Sequence, residues 1–162
     1  MAFLPLGGSG KDWQQEGCAA YQQMVSRLRT AGEMAKQEGI TIGIRTGMGA
    51  KFDKKLLKKV GSSQIKVYYN FQDAADHHRD ICKELRKLGA QRIVQIHASN
   101  TDSVNLQEDP EINLPKIRKT LDKMKWSGWL VVERSRDVKR VRDVKYNFGR
   151  NIAYLKQVFQ ER

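Results

Sequence analysis

Residues 128–137 read GWLVVERSRD. The apolar run from Trp129 to Val132 stops at a carboxylate, Glu133, and an Arg, a Ser, another Arg and an Asp follow. Consecutive branched apolar residues without helical spacing suit a strand buried on both faces, as in a parallel sheet covered by helices. A strand that ends in Glu133 has either carried a charge to a site or simply reached the surface. The rest of the chain bears on this, because the same kind of ending recurs.

Working outward from this strand, helical and strand patterns alternate. Residues 17–39 place Tyr21, Met24, Val25, Leu28, Ala31 and Ala35 on one helical face, with Gly39 as the stop. ITIGIRT, 40–46, reads as a strand. A short helix over 53–60 has Phe52, Leu56, Leu57 and Val60 as its apolar side and Lys54, Lys55, Lys58 and Lys59 on the rest. IKVYYN, 65–70, is a second strand, and a helix over 76–88 turns Ile81, Cys82, Leu85 and Leu88 inward. RIVQIH, 92–97, is a third strand. A polar loop with Pro110 leads to a helix over about 114–125, then the strand WLVVE, 129–133, and a last helix over about 140–160. The order is one helix and then four βα units. Strands separated by helices pair in parallel through right-handed crossovers. The expected fold is therefore α/β, either a small open sheet or half of a (β/α)8 barrel with outer helices. A complete barrel takes about 250 residues, and this chain has 162. Residues 1–16 read as a flexible leader and 17–162 as a single domain.

The net charge of +12 favours an anionic partner: a phosphorylated metabolite, a nucleic acid or an acidic surface. No apolar run is long enough to span a membrane. MAFLPLGGSGKDW lacks the basic n-region of a signal peptide, so a cytoplasmic location is expected. The two cysteines, Cys18 and Cys82, sit in helical contexts and predict no disulfide framework. GGSGKD, 7–12, fails as a phosphate loop, with Pro5 where a Gly is needed and Asp12 where Ser or Thr is needed. TGMGAK, 46–51, could bring backbone N–H groups to an anion at a helix start, but a plain βα turn is the simpler reading. His77 and His78 lack metal-site spacing.

The four strands finish at Arg45, Asn70, His97 and Glu133, each the first strongly polar or charged residue after a largely apolar run. In parallel α/β folds the C-terminal strand ends gather on one rim, and sites are built there. One polar exit is an ordinary strand end. Four in succession predict a site, with Glu133 on it.

ITIGIRTG, IKVYYNFQDA, RIVQIHASNTD and WSGWLVVERSRD resemble the last four βα units of the xylose-isomerase-like barrels, the sugar phosphate isomerase/epimerase group. The resemblance runs from about residue 17 to 160, and GWLVVE after LDKMKW is its most specific piece, followed by QIH. It implies the C-terminal half of the barrel, with four βα units. It also implies a divalent metal, such as manganese or magnesium, held by a Glu, an Asp, a His and a Glu from the four strand ends. The two glutamates would move a proton next to the carbonyl of a sugar or sugar phosphate. Carried over by position, His97 and Glu133 are metal ligands and Glu133 is also the catalytic proton shuttle. The other two positions hold Arg45, whose guanidinium stays protonated and cannot bind a metal, and Asn70, a weaker neutral oxygen ligand. The family's His after that Asp is Asp73 here. The implied metal set is Asn70, His97 and Glu133. Arg45 and Asp73 become substrate contacts, joined by Asn100, Asp102, Arg134 and Arg136 on the following loops.

Three readings stay open. The first is metal-assisted proton transfer on a sugar or sugar phosphate. The second is a non-catalytic half-barrel module that self-associates or binds an anionic ligand, with an Arg45–Glu133 pair filling the vacated metal position. A basic nucleic-acid-binding protein ranks last, because three histidines do not readily supply the metal cluster of the DNA-repair endonucleases in the wider superfamily. A half-barrel leaves two open edges and an uncovered inner face. A homo-oligomer, or a partner that supplies the missing half, is therefore expected.

Overall fold

The computed structural model of the chain describes residues 1–7, 13, 15–98 and 102–161. Five strands, β1 (Ala2–Pro5), β2 (Ile42–Arg45), β3 (Ile65–Asn70), β4 (Ile93–His97) and β5 (Trp129–Val131), form one parallel sheet in chain order. The helices are α1 (Ala19–Gln37), α2 (Ala50–Val60), α3 (Phe71–Ala75), α4 (Ile81–Leu88), α5 (Leu114–Lys123) and α6 (Val144–Phe159). Parallel strands in sequential order, each pair joined through a helix, make a partial TIM barrel. No helix among the described residues is long and apolar enough to cross a membrane.

The strand count differs from the four expected. Residues 2–5 fall in the stretch read as a flexible leader, yet they pair with β2 from Ala2↔Ile42 to Pro5↔Arg45. The pattern hid this strand because all four residues are exposed. Pro5, which has no N–H to give, is tolerated at the last position of an edge strand. The helix expected over 76–88 is α4 alone, starting only at Ile81, and a separate short helix, α3, precedes it across a turn in which His78 takes φ 50°. Asp80 then restarts the chain by accepting from the Lys83 N–H at 2.9 Å. α6 begins at Val144 rather than near 140, after a 3-10 turn over Val138–Arg140. Glu133 lies two residues beyond the end of β5.

The core is one cluster in which Ile44, Leu56, Leu85, Leu88, Ile96, Leu114 and Ile117 are almost fully buried. The edges are different. Trp129 on β5 is 77% exposed and Phe3 on β1 is 43% exposed, so both ends of the sheet present large apolar side chains to solvent. α1 is locked to the base of the sheet. Arg29 donates to the carbonyls of Lys59 and Val60 at the C-terminus of α2, at 2.5 and 3.2 Å. Gly32 lies so near the α2–β3 turn that a Cβ there would meet Ser62 Oγ at 2.4 Å and Ser62 Cβ at 2.7 Å.

Gly32→Ala therefore destabilises the fold, despite the better helix propensity of alanine. The overpacking exceeds the gain, and we expect a net loss of about 1–3 kcal/mol. Urea denaturation reads this as a lowered midpoint, and Ser62→Gly in the same background recovers most of it.

Candidate functional site

β2, β3 and β4 end side by side, which brings Arg45, Asn70 and His97 to one rim. Arg45 closes a bidentate pair with Asp73, with Nε to Oδ2 at 2.9 Å and Nη2 to Oδ1 at 2.6 Å. The pair is expected to be firm because the planar guanidinium fork matches a carboxylate. Asp73 is placed by its helix. Asn70 caps α3 by accepting from the Gln72 N–H at 2.8 Å, and an acidic residue is favoured in the first turn of a helix. Arg79 donates to the Asp73 carbonyl at 2.6 Å and to the Gly47 carbonyl at 3.1 Å, tying α3 to the β2–α2 turn. The Asp73 hydrogen bonds hold the Arg45 pKa above its usual range. The Arg45–Glu133 pair expected from the sequence is thus replaced by Arg45–Asp73.

Glu133 instead faces His97, with Oε2 3.4 Å from the ring Nε2. On the other side, Asn70 Nδ2 stands 3.4 Å from His97 Nδ1. The direction of this chain follows from the cap. The Asn70 oxygen is taken by the Gln72 N–H, so its amide group points at His97 as a donor, and Nδ1 must accept. His97 then carries its proton on Nε2 and donates it toward Glu133. Burial lowers the His97 pKa, which keeps the ring neutral, and the nearby Glu133 charge opposes this only in part. The ring packs against Tyr68, centroids 4.8 Å apart, and Phe3 of β1 stands 6.4 Å away. Phe3 and Tyr68 are themselves edge to face at 4.7 Å, and Gln95 donates to the Tyr68 hydroxyl at 3.1 Å.

This arrangement is a poor fit to a divalent metal. A metal ligand must offer a lone pair. The Asn70 oxygen is engaged in the cap, the accepting nitrogen of His97 faces Asn70, and Asp73 is engaged by Arg45. Among the described residues, no group of three or more His, Cys, Asp or Glu side chains is placed to hold a metal ion. Glu133 remains as an exposed carboxylate beside a guanidinium.

The loop residues form a second cluster. Asp102 accepts from Arg134 at 2.9 Å and from Arg136 at 2.7 and 2.5 Å, and these contacts hold its pKa down to about 2. Asn100 lies outside the described residues. Beneath this cluster the segment after β5 is pinned by buried asparagines. Asn105 and Asn151 both donate to the Ser135 carbonyl, at 3.1 and 2.7 Å. The Asn147 oxygen accepts from the Asp137 N–H at 2.8 Å. Ser135 takes φ 73°, a conformation costly for a residue with a Cβ, and the three side chains hold it there. These contacts fix the backbone of the segment that carries Glu133, Arg134 and Arg136.

The TGMGA turn proves to be a plain turn whose anion is internal. Both carboxylate oxygens of Glu84 lie 3.1 Å from the Ala50 N–H at the start of α2. Behind it Asp53, 5% exposed, accepts from the Thr46 hydroxyl at 2.5 Å, and burial pushes its pKa up to about 7. His77 donates to the Asp73 carbonyl at 2.9 Å, a helix-end contact. The sequence reading missed Phe3, Tyr68, Thr46, Asp53, Arg79, Glu84 and the asparagine trio. Only Asp53 carried a signal, an acidic residue on the inward side of a lysine-rich helix.

A family model described as xylose isomerase-like TIM barrel matches residues 2–158. No curated protein matches the chain. Solved structures do. The chain superposes on a D-psicose 3-epimerase determined in the presence of D-fructose with TM-score 0.75 and 14% identity, over 97% of this chain and 64% of that one. For the apo 3-keto-D-glucoside 4-epimerase of E. coli the values are 0.74, 10%, 96% and 63%. For an AP endonuclease, family 2, of Brucella melitensis they are 0.69, 16%, 91% and 60%. At these identities the likeness is one of fold. The chain spans 56–64% of the length of the first solved structures it matches.

The buried carboxyl beneath the rim has a measurable consequence. An unfolded aspartate titrates near 3.8, whereas Asp53 in the fold holds its proton to about 7. The folded state binds the extra proton, so the Asp53 contribution is complete below about pH 4 and is lost as pH rises through about 7. Asp53→Asn should flatten this slope, which amounts to up to roughly 4 kcal/mol. His97 gives the opposite slope below about pH 6.5, so denaturation of wild type and variant side by side isolates Asp53.

Proposed function

The chain belongs to the xylose isomerase-like TIM barrel family, and from that premise we propose that its rim is a carbohydrate-binding site that holds its ligand by direct hydrogen bonds rather than through a metal. The observation that carries this reading is the bidentate Arg45–Asp73 pair. A cation seated among these strand ends would lie against a permanent positive charge, and the carboxylate best placed to offset it is already engaged. A sugar suits the same surroundings. Its hydroxyls can give to Asp73 and Glu133 and take from Arg45, and the C–H face of its ring can lie on Phe3, which is exposed and backed by the buried Tyr68. A phosphate on the sugar would reach toward Arg134, which is half exposed, by charge-assisted hydrogen bonding. The ligand class is a sugar or sugar phosphate, as the resemblance implies. The isomerase or epimerase reaction is the alternative, favoured by the retained His97–Glu133 pair.

The deciding experiment presents ketohexoses and their phosphates to the protein in D2O, with and without manganese. We expect saturable binding that shifts the His97 and Tyr68 ring resonances, no gain in melting temperature from manganese, and no deuterium at the carbons flanking the sugar carbonyl. Manganese-dependent deuterium incorporation that disappears in Glu133→Gln would overturn the binding reading and establish the enzyme.

We also propose that the exposed edges at β1 and β5 are covered in solution. Five strands are short of the eight of a closed barrel, and unpaired edges bearing Phe3 and Trp129 invite association. Light scattering should return at least twice the monomer mass, and Trp129→Lys should shift it toward the monomer. A monomer at all concentrations sinks this proposal.

A further inference from the structure

The strands begin at the end of the sheet opposite the rim, and there the chain builds a second concavity. At the starts of β3 and β4, beside α2, lies a groove of about 520 Å³. Lys54, Lys58, Lys66 and Arg92 line it together with the hydroxyl residues Ser62 and Ser63, and no carboxylate does. None of these four cations takes part in an ion pair among the described residues. Among the described residues the Arg92 side chain makes one hydrogen bond, from Nη1 to the Leu88 carbonyl at 2.9 Å, so its other donors can serve a ligand.

Helix electrostatics accounts for part of this. Lys58 lies in the last turn of α2, where a cation offsets the dipole. It does not account for Lys54, which precedes Lys58 by one turn on the same face, or for Lys66, which stands inside a strand. Like charges gathered around one hollow repel each other, and an anion in the hollow removes that repulsion.

We propose that this groove binds a small, multiply charged phosphate ligand of the di- or triphosphate class. Its volume is that of a small-molecule site. Ammonium and guanidinium donors around a concavity suit several phosphate groups held together. A nucleic acid is less well served, because a duplex needs an extended face and no aromatic ring lines the groove to stack a base. The site is separate from the rim and does not depend on what the rim binds.

The test is calorimetry with inorganic tripolyphosphate on the whole chain. Wild type should show saturable one-to-one binding that weakens as salt is raised. Lys58→Gln with Lys66→Gln should lower affinity about tenfold for each charged contact removed. Lys139→Gln with Arg142→Gln removes the same charge from the segment after β5 and should leave affinity nearly unchanged. Thermal melting establishes that both variants are folded. Three outcomes overturn the proposal: no saturable binding, equal losses in the two variants, or displacement of tripolyphosphate by a duplex oligonucleotide that binds more than about tenfold tighter. The last would assign the groove to nucleic acid.

Discussion

An arginine at the end of a parallel strand must find an anion, and the arrangement of the rim follows from where Arg45 finds one. Its guanidinium cannot shed its proton. It is also too enclosed to be served by water alone, with its side chain 30% exposed. Asp73 answers it because Asn70 caps α3 and so fixes the first helical turn above the neighbouring strand. Taking away either partner would strand the other charge in a half-buried position, which is more costly than the pair itself is favourable. Arg79, reaching both Asp73 and Gly47, carries the constraint into the β2–α2 turn. One ion pair thus ties the end of β2 to the helix that follows β3 and to the β2–α2 turn.

The fold was largely legible because burial drives periodicity. β2, β3 and β4 are short apolar runs between amphipathic helices, and their last residues came out at the positions the sequence suggested. β1 was not legible, since an edge strand with four exposed residues and a proline leaves no burial pattern to read. Of the site, the convergence of Arg45, Asn70, His97 and Glu133 was legible. The partnering was not. Whether Arg45 takes Asp73 or Glu133 depends on Asn70 starting a helix at residue 71, a capping event inside a stretch whose helix was expected only from residue 76. The asparagine trio was invisible for another reason. Asn105 lies 42 residues from Asn147 in sequence, and nothing local marks a polar residue as a buried strut.

The unforeseen strand also supports the site. Phe3 stands against Tyr68, which stands against His97, so the edge strand extends an aromatic wall along the inner face of the sheet. That wall contributes to the burial that keeps His97 neutral, and a neutral His97 can accept from Asn70 while donating to Glu133. The ring therefore acts as a link in a hydrogen-bond chain. Its orientation is set by a helix cap two steps away, which is how a backbone event at Gln72 reaches the exposed carboxylate of Glu133.

The net charge of +12 is only partly answered by ion pairs within the protein. Around the rim and its loops the arginines are answered internally: Arg45 by Asp73, Arg79 by Glu84, Arg134 and Arg136 by Asp102, and Arg140 by Asp143. Charges paired in this way contribute little long-range attraction. At the strand starts Lys54 and Lys58 of α2 and Lys66 of β3 have no such answer among the described residues. Gathered around one groove, these cations repel one another, and an anion seated among them removes that repulsion.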